Sequence, residues 1–146
     1  MKHLNNGRCE KCQEIMNKYP GINALLKAWF EDVQEKNPDF HCSDAGRGYL
    51  DQELYFQRKS SLAHFGESAH NYNAAIDTFF LIDGKYCVDL DQYVKHIEPE
   101  IPDWLQWGHN WEHFSETPHF EIKAWRTLRE FGGVKLVEDH KDANVG

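Results

Sequence analysis

Apolar positions recur at Ile22, Leu25, Leu26, Trp29, Phe30 and Val33. Their helical spacing predicts an amphipathic helix that ends near Asn37-Pro38. Tyr19-Pro20-Gly21 separates this helix from the segment before it. Phe40 to Ser43 reads as a short strand that runs into the turn Ala45-Gly46-Arg47-Gly48. Leu50 to Arg58 reads as a second helix, with Leu50, Leu54 and Phe56-Gln57 near its buried side. Ser60 to Asn73 is polar, rich in His and Gly, and without a clear period, so a long loop is expected, and long loops in compact domains often carry function. Ala74 to Ile82 is the strongest strand. Asp83-Gly84 then signals a hairpin, with Lys85 to Val88 as the returning strand. A short helix is expected over Asp89 to Ile97. After it, Trp104 to Ile122 mixes aromatics, His and acids, and residues after Pro118 resemble a strand. A last helix runs from about Ala124 to Phe131 and stops at Gly132-Gly133. Helices and hairpins that do not alternate regularly make an α+β pattern.

Composition narrows this picture. The 146 residues fit one domain spanning 1–146; a domain near that size buries about 68–70% of its unfolded surface. Within it, a helical segment is expected over 1–38 and a frayed tail over 138–146. Nine Phe, six Tyr and five Trp supply core volume and argue against a disordered acidic chain. The formal net charge of −8 leaves no basic field for nucleic acid or an anionic membrane. No apolar run approaches the roughly 20 residues that span a bilayer. The first residues, Met-Lys-His-Leu-Asn-Asn-Gly-Arg, lack an apolar stretch, so no signal peptide and a cytosolic product are expected. Cys9, Cys12, Cys42 and Cys87 are too few and scattered for a disulfide scaffold. Cys9-Glu-Lys-Cys12 has the spacing of half a zinc site or a redox pair. No βαβ pattern surrounds it and no second close-spaced pair completes it, so reduced thiols are expected there.

The candidate chemistry lies among the nine histidines, most of which fall between His64 and His119. In the Ala74–Ile82 strand, period two puts Ala75, Asp77, Phe79 and Leu81 on one face. A carboxylate among apolar neighbours costs several kcal/mol unless it is paired or holds a metal. His70 lies in the loop feeding this strand. In Glu116-Thr117-Pro118-His119-Phe120-Glu121, His119 and Glu121 share a strand face, and Glu116 precedes His119 by three positions. Two His and one Asp leave a fourth position open on tetrahedral Zn²⁺, the layout of a catalytic site. Glu116 is then the candidate general base and acid.

These residues also match a family pattern. Ser68-Ala-His70-Asn-Tyr-Asn73-Ala-Ala75-Ile-Asp77 resembles the Ser-x-His-x-x-Gly-x-Ala-x-Asp motif of the D-Ala-D-Ala carboxypeptidase / L-alanyl-D-glutamate endopeptidase metallopeptidases. Glu116-Thr-Pro-His119 resembles their second motif. Leu105-Gln-Trp107-Gly108-His109-Asn-Trp111 is similar to the Leu-x-Trp-Gly-Gly-x-Trp segment of the phage endolysin branch. Ala45-Gly46-Arg47, with Gln52 five residues after the Arg, is similar to Gly-Tyr-Arg-x-x-x-x-Gln. The four segments run in the family's order within residues 40–122.

The resemblance implies a small domain with a central antiparallel sheet flanked by helices, hedgehog/D-Ala-D-Ala-peptidase-like. It implies zinc on His70, Asp77 and His119, with Glu116 as catalytic base and acid. Arg47 would bind a substrate carboxylate or carbonyl oxygen and stabilise the oxyanion, and Ser68 would line the substrate site. The implied activity is zinc-dependent peptidoglycan hydrolysis: an L-alanyl-D-glutamate endopeptidase acting on the stem peptide as a monomeric phage endolysin, released to the wall by a separate membrane-permeabilising protein or carried in a virion. The alternatives are a D,D-carboxypeptidase or dipeptidase with the same site, and a non-catalytic hedgehog-like zinc-binding module. Asn73 stands where the motif has Gly, which Asn tolerates because it also enters left-handed conformations. Gly46 replaces the Tyr before the Arg, and His109 replaces the second Gly of Trp-Gly-Gly.

Two rival patterns rank lower. His109-Asn-Trp-Glu112-His113 formally matches the inverted zinc-peptidase motif, but that motif needs a helix where Gly108 and Pro118 leave little room. A glycosidase pair of Glu116 with Asp77 or Glu112 leaves His70 and His119 without a role. Trp104, Trp107 and Trp111 read as a core stripe before a sugar-stacking platform.

Overall fold

A computed structural model describes residues 9–19, 21, 23–112 and 115–137. The predicted tail 138–146 and the first eight residues lie outside the described set. Helix α1 (Glu10–Met16) is followed by α2 (Ala24–Lys36), strand β1 (Phe40–Asp44) and α3 (Tyr49–Gln57). The hairpin β2 (Ala75–Ile82) and β3 (Lys85–Cys87) leads to α4 (Leu90–His96), β4 (Leu105–Trp107), β5 (His119–Ile122) and α5 (Trp125–Glu130). The architecture is α+β, with an antiparallel sheet ordered β1-β2-β5-β4 and β3 paired to the far end of β2. No described helix is long and apolar enough to cross a membrane.

Local chemistry explains most boundaries. The Asn23 side chain accepts from the Leu25 and Leu26 amides at 3.0 and 3.2 Å, capping α2. Asp83 and Gly84 both take positive φ, +52° and +74°, as the tight hairpin between β2 and β3 requires. The α2 stripe is buried through Leu26, Trp29, Phe30 and Val33. Helix α3 departs from expectation: Leu50 and Leu54 are 40% and 39% exposed and Gln57 is exposed. Its buried residue is Gln52, which donates to Ser61 Oγ and the Ala63 carbonyl and accepts from Arg47 and Asn71. This helix is held by a polar plug instead of an apolar stripe.

Alternation along the strands gives the sheet two unlike faces. Phe40, Ile76, Phe80, Phe120 and Ile122 enter the core, where Trp29 packs on Phe120 at 5.1 Å, Phe30 on Phe40 at 5.4 Å and Phe80 on Tyr93 at 5.2 Å. The register pairs His41 with Phe79, Asp77 with His119, and Ala75 with Glu121, which puts the polar side chains together on the opposite face. A register shift between Cys42 and Asp44 sets Asp44 opposite Asp77, the local bend a bulge produces. Helix α1 lies at the outer edge of β1, where the Cys42 amide donates to Cys12 Sγ at 3.3 Å. None of the four cysteines forms a disulfide.

Candidate active site

His70 arrives on a short 3-10 turn, Ala69–Tyr72, before β2. Ser68 caps that turn: its hydroxyl accepts from the His70 amide at 3.2 Å. Asn71 locks it further, accepting from the Gly66 and Ser68 amides and donating to the Arg47 carbonyl. The turn ends at Asn73, whose φ of +54° is left-handed, so the Asn in the motif's Gly position adopts the conformation a Gly would. Asp77 and His119 face each other across the β2–β5 pairing.

The three side chains meet at one point. Asp77 Oδ1 lies 3.2 Å from His70 Nε2 and 3.0 Å from His119 Nδ1. The two imidazoles stand edge to face, 5.0 Å apart, and are 2% and 4% exposed. Each is oriented from behind. His70 Nδ1–H donates to the Ala45 carbonyl at 2.6 Å, and His119 Nε2–H donates to Glu121 Oε1 at 2.8 Å. That leaves His70 Nε2, His119 Nδ1 and an Asp77 oxygen as donor atoms within 4.8 Å of one another. Imidazoles whose far nitrogens are held by a carbonyl and a carboxylate are the arrangement in which His binds a metal, so the residues present fit a divalent ion.

Electrostatics agree with the geometry. Burial alone would raise the Asp77 carboxyl, but the charge and hydrogen bonds of His70 and His119 hold it well below the usual range. Burial alone would lower His119, but the hydrogen bonds and charges of Asp77 and Glu121 bring it up to about 10. The metal-free site thus holds a proton that an ion must displace.

Arg47 is buried beside this cluster. Its Nη2 lies 2.7 Å from Asp44 Oδ2 and 3.4 Å from Asp77 Oδ2, spanning the two carboxylates the bulge brings together. Nη1 donates to Gln52 Oε1 at 3.1 Å, and the guanidinium lies on the Tyr55 ring, 4.3 Å from its centroid. Glu116 enters through a close approach: its amide donates to the Gly108 carbonyl at 3.1 Å. A Cβ on Gly108 would sit 2.6 Å from the Glu116 carbonyl oxygen and 3.0 Å from His119 Cβ. Only Gly fits there. Glu116 is half-buried, and burial raises its carboxyl above the ordinary value against the charges of His119, His70 and Arg47.

Arg47, Ser68, His70, Asp77, Glu116 and His119 all line one cleft of about 700 Å³. The sequence reading gave no role to Glu121, which holds His119 and accepts from Trp125 Nε1 at 3.0 Å; its period-two spacing from His119 was the available signal. It also gave none to Asp44, which a strand bulge delivers. Trp111, from the supposed core stripe, lines the cleft 4.8 Å from the His119 ring, whereas Trp107 is buried. The inverted zinc-peptidase pattern lacks its helix: a single 3-10 turn covers Gly108–Asn110 and Trp111 is extended. His113 lies outside the described residues.

No family model matches the chain, and no curated protein matches it in sequence. Its fold is similar to that of the Serratia marcescens L-Ala D-Glu endopeptidase ChiX, with a TM-score of 0.67 at 18% identity. The match covers 82% of this chain and 92% of ChiX.

Proposed function

We propose that the chain is a zinc-dependent peptidoglycan peptidase that cleaves the L-Ala–D-Glu bond of the stem peptide, acting as a lysin of phage type. The observation that carries this is the donor set His70, Asp77 and His119 sharing a cleft with Glu116. Its place on a fold similar to an L-Ala D-Glu endopeptidase supports it. The ordered family motifs support the phage branch.

Zinc held by His70, Asp77 and His119 would supply a Lewis acid for the scissile carbonyl and would lower the pKa of a water to ~7. Glu116 takes the proton of the attacking water at its carboxylate and returns it to the leaving amine nitrogen. Its partial burial narrows the gap between its acid and base forms near neutral pH. Arg47, held in place by Asp44 and Gln52, presents its cation to the oxygen that gains charge or to a substrate carboxylate. Tyr55 and Trp111 wall the cleft, and Ser68 holds the His70 turn at its rim.

The test is digestion of purified peptidoglycan by the zinc-loaded protein, with mass spectrometry of the products. New N-terminal D-Glu ends are expected. Release of terminal D-Ala alone would replace the proposal with a D,D-carboxypeptidase, and no product from folded, loaded protein would replace it with a non-catalytic zinc module. Lysis of cells co-expressing a membrane-permeabilising protein tests the lysin role; intact cells would remove it.

A further inference from the structure

A second set of metal donors lies away from the cleft. Cys9 and Cys12, at the start of α1, converge with His41 of β1, and their donor atoms all lie within 4.8 Å of one another. All three residues are fully buried. Cys12 Sγ is 3.6 Å from His41 Nδ1, while sulfur and nitrogen bound to one tetrahedral zinc sit about 3.6 Å apart given Zn–S near 2.3 Å and Zn–N near 2.0–2.1 Å.

Two N–H groups face the Cys12 sulfur. The Cys42 amide and Gln34 Nε2 both point at Cys12 Sγ, at 3.3 and 3.5 Å. A neutral thiol sulfur is a weak acceptor, and two N–H donors on one buried sulfur match the outer hydrogen bonds that tune a metal's ligands. The Gln34 amide is fixed by its Nε2 donating to the Phe40 carbonyl at 2.8 Å. Its Oε1 is buried without a hydrogen-bond partner among the described residues.

We propose that Cys9, Cys12 and His41 bind a second zinc ion with a structural role. Two thiolates and an imidazole select zinc among the common divalent ions, and full burial keeps substrate away. The ion ties α1 to the edge of β1 across a span of 32 residues from Cys9 to His41, a long closure of the kind a metal clip stabilises most. It reverses the expectation of simple reduced thiols, because the third ligand lies too far along the chain for any short motif.

The site is independent of hydrolysis, so its test separates from that of the proposed function. Purified protein is stripped and reloaded with Co²⁺, and its absorption spectrum and metal content are read. Two ions per chain and a sulfur-to-cobalt charge-transfer band are expected. His70→Ala/Asp77→Ala protein should keep one ion and the full band, since the cleft has no sulfur ligand. Cys9→Ser/Cys12→Ser should keep one ion without the band, and His41→Ala should weaken binding at this site at least tenfold. Cobalt-loaded His70→Ala/Asp77→Ala protein should also melt at higher temperature than the same variant free of cobalt. A folded wild-type protein that shows no charge-transfer band, or that carries a Cys9–Cys12 disulfide by mass, overturns the proposal without needing any variant to fold.

Discussion

The two donor clusters belong to one sheet face and differ in almost everything else. At the centre, His70, Asp77 and His119 use nitrogen and oxygen, and their cluster opens into a cleft that also holds Glu116 and Arg47. At the β1 edge, Cys9, Cys12 and His41 use sulfur and nitrogen and are sealed. An open position with a neighbouring acid is what metal catalysis requires. The edge set also offers three ligands, but burial shuts it off from any substrate and, among the described residues, no acid stands beside it to take a proton. The strands supply a ligand to each cluster by the same alternation. What separates their chemistry is the element that covers them: helix α1 over the edge, and the cleft beside β2 and β5.

The comparison breaks most visibly at Glu116. Glu116→Gln should lower kcat by about 10²–10⁴ while the cleft still binds its ion and the edge cluster is untouched. Metal content together with single-turnover hydrolysis of wall peptides would check this, and full activity would remove Glu116 as the base. Next comes Glu121→Gln, which weakens the acceptor behind His119. About a 10–100-fold loss of ion affinity is expected in the cleft alone, measured by competition with a chelator.

Acidity sharpens the contrast. Activity that needs ionised Glu116 should rise with pH through a value above the ordinary carboxylate pKa, because burial raises that group. Ion affinity at the cleft should climb with pH towards about 10, as the ion must displace the His119 proton. The stability signs in metal-free protein are opposite for the two partners. The raised His119 stabilises fully below its unfolded value near 6.5 and loses that contribution as pH rises through about 10. The lowered Asp77 stabilises above its unfolded value near 3.8 and loses that contribution as pH falls through its depressed value. Thermal melts of stripped protein should therefore weaken towards both extremes. His119→Asn should lessen the alkaline decline, to which the raised thiols of Cys12 and Cys42 and the raised Tyr93 phenol also contribute.

The smallest effect is expected at Gln52→Ala. It strips the acceptor from Arg47 Nη1 and Asn71 Nδ2 inside the fold and should cost about 1–3 kcal/mol by urea melts. A loss confined to kcat, with unchanged stability, would show that Gln52 only orients Arg47.

Much of this was legible before the structure. Strand periodicity put Asp77 and the feeding loop of His70 together, and His119 and Glu121 fell on one strand face. The β2–β3 turn followed from Asp83-Gly84, and α2 from its stripe and its Asn23 cap. Helix α3 departs from its pattern because Leu50 and Leu54 suggest an apolar face, while the side chain that enters the fold is Gln52, satisfied there by four hydrogen bonds. Arg47 was legible as a residue, but its placement between Asp44 and Asp77 depends on a bulge that no local pattern announces.

The sequence by itself determined the elements, the alternation within each strand, and a short set of chemically unusual residues. Those properties are local: they depend on neighbours within a helical turn or a strand pair of positions. Only the tertiary structure decided which strands pair, and so which residues share a donor set. Strand pairing brings Asp77 to His119 across 42 residues, and the packing of α1 on the edge of β1 brings Cys12 to His41 across 29. Register and edge cover are long-range choices made by burying the apolar face of the sheet. The opposite face inherits its chemistry from that choice.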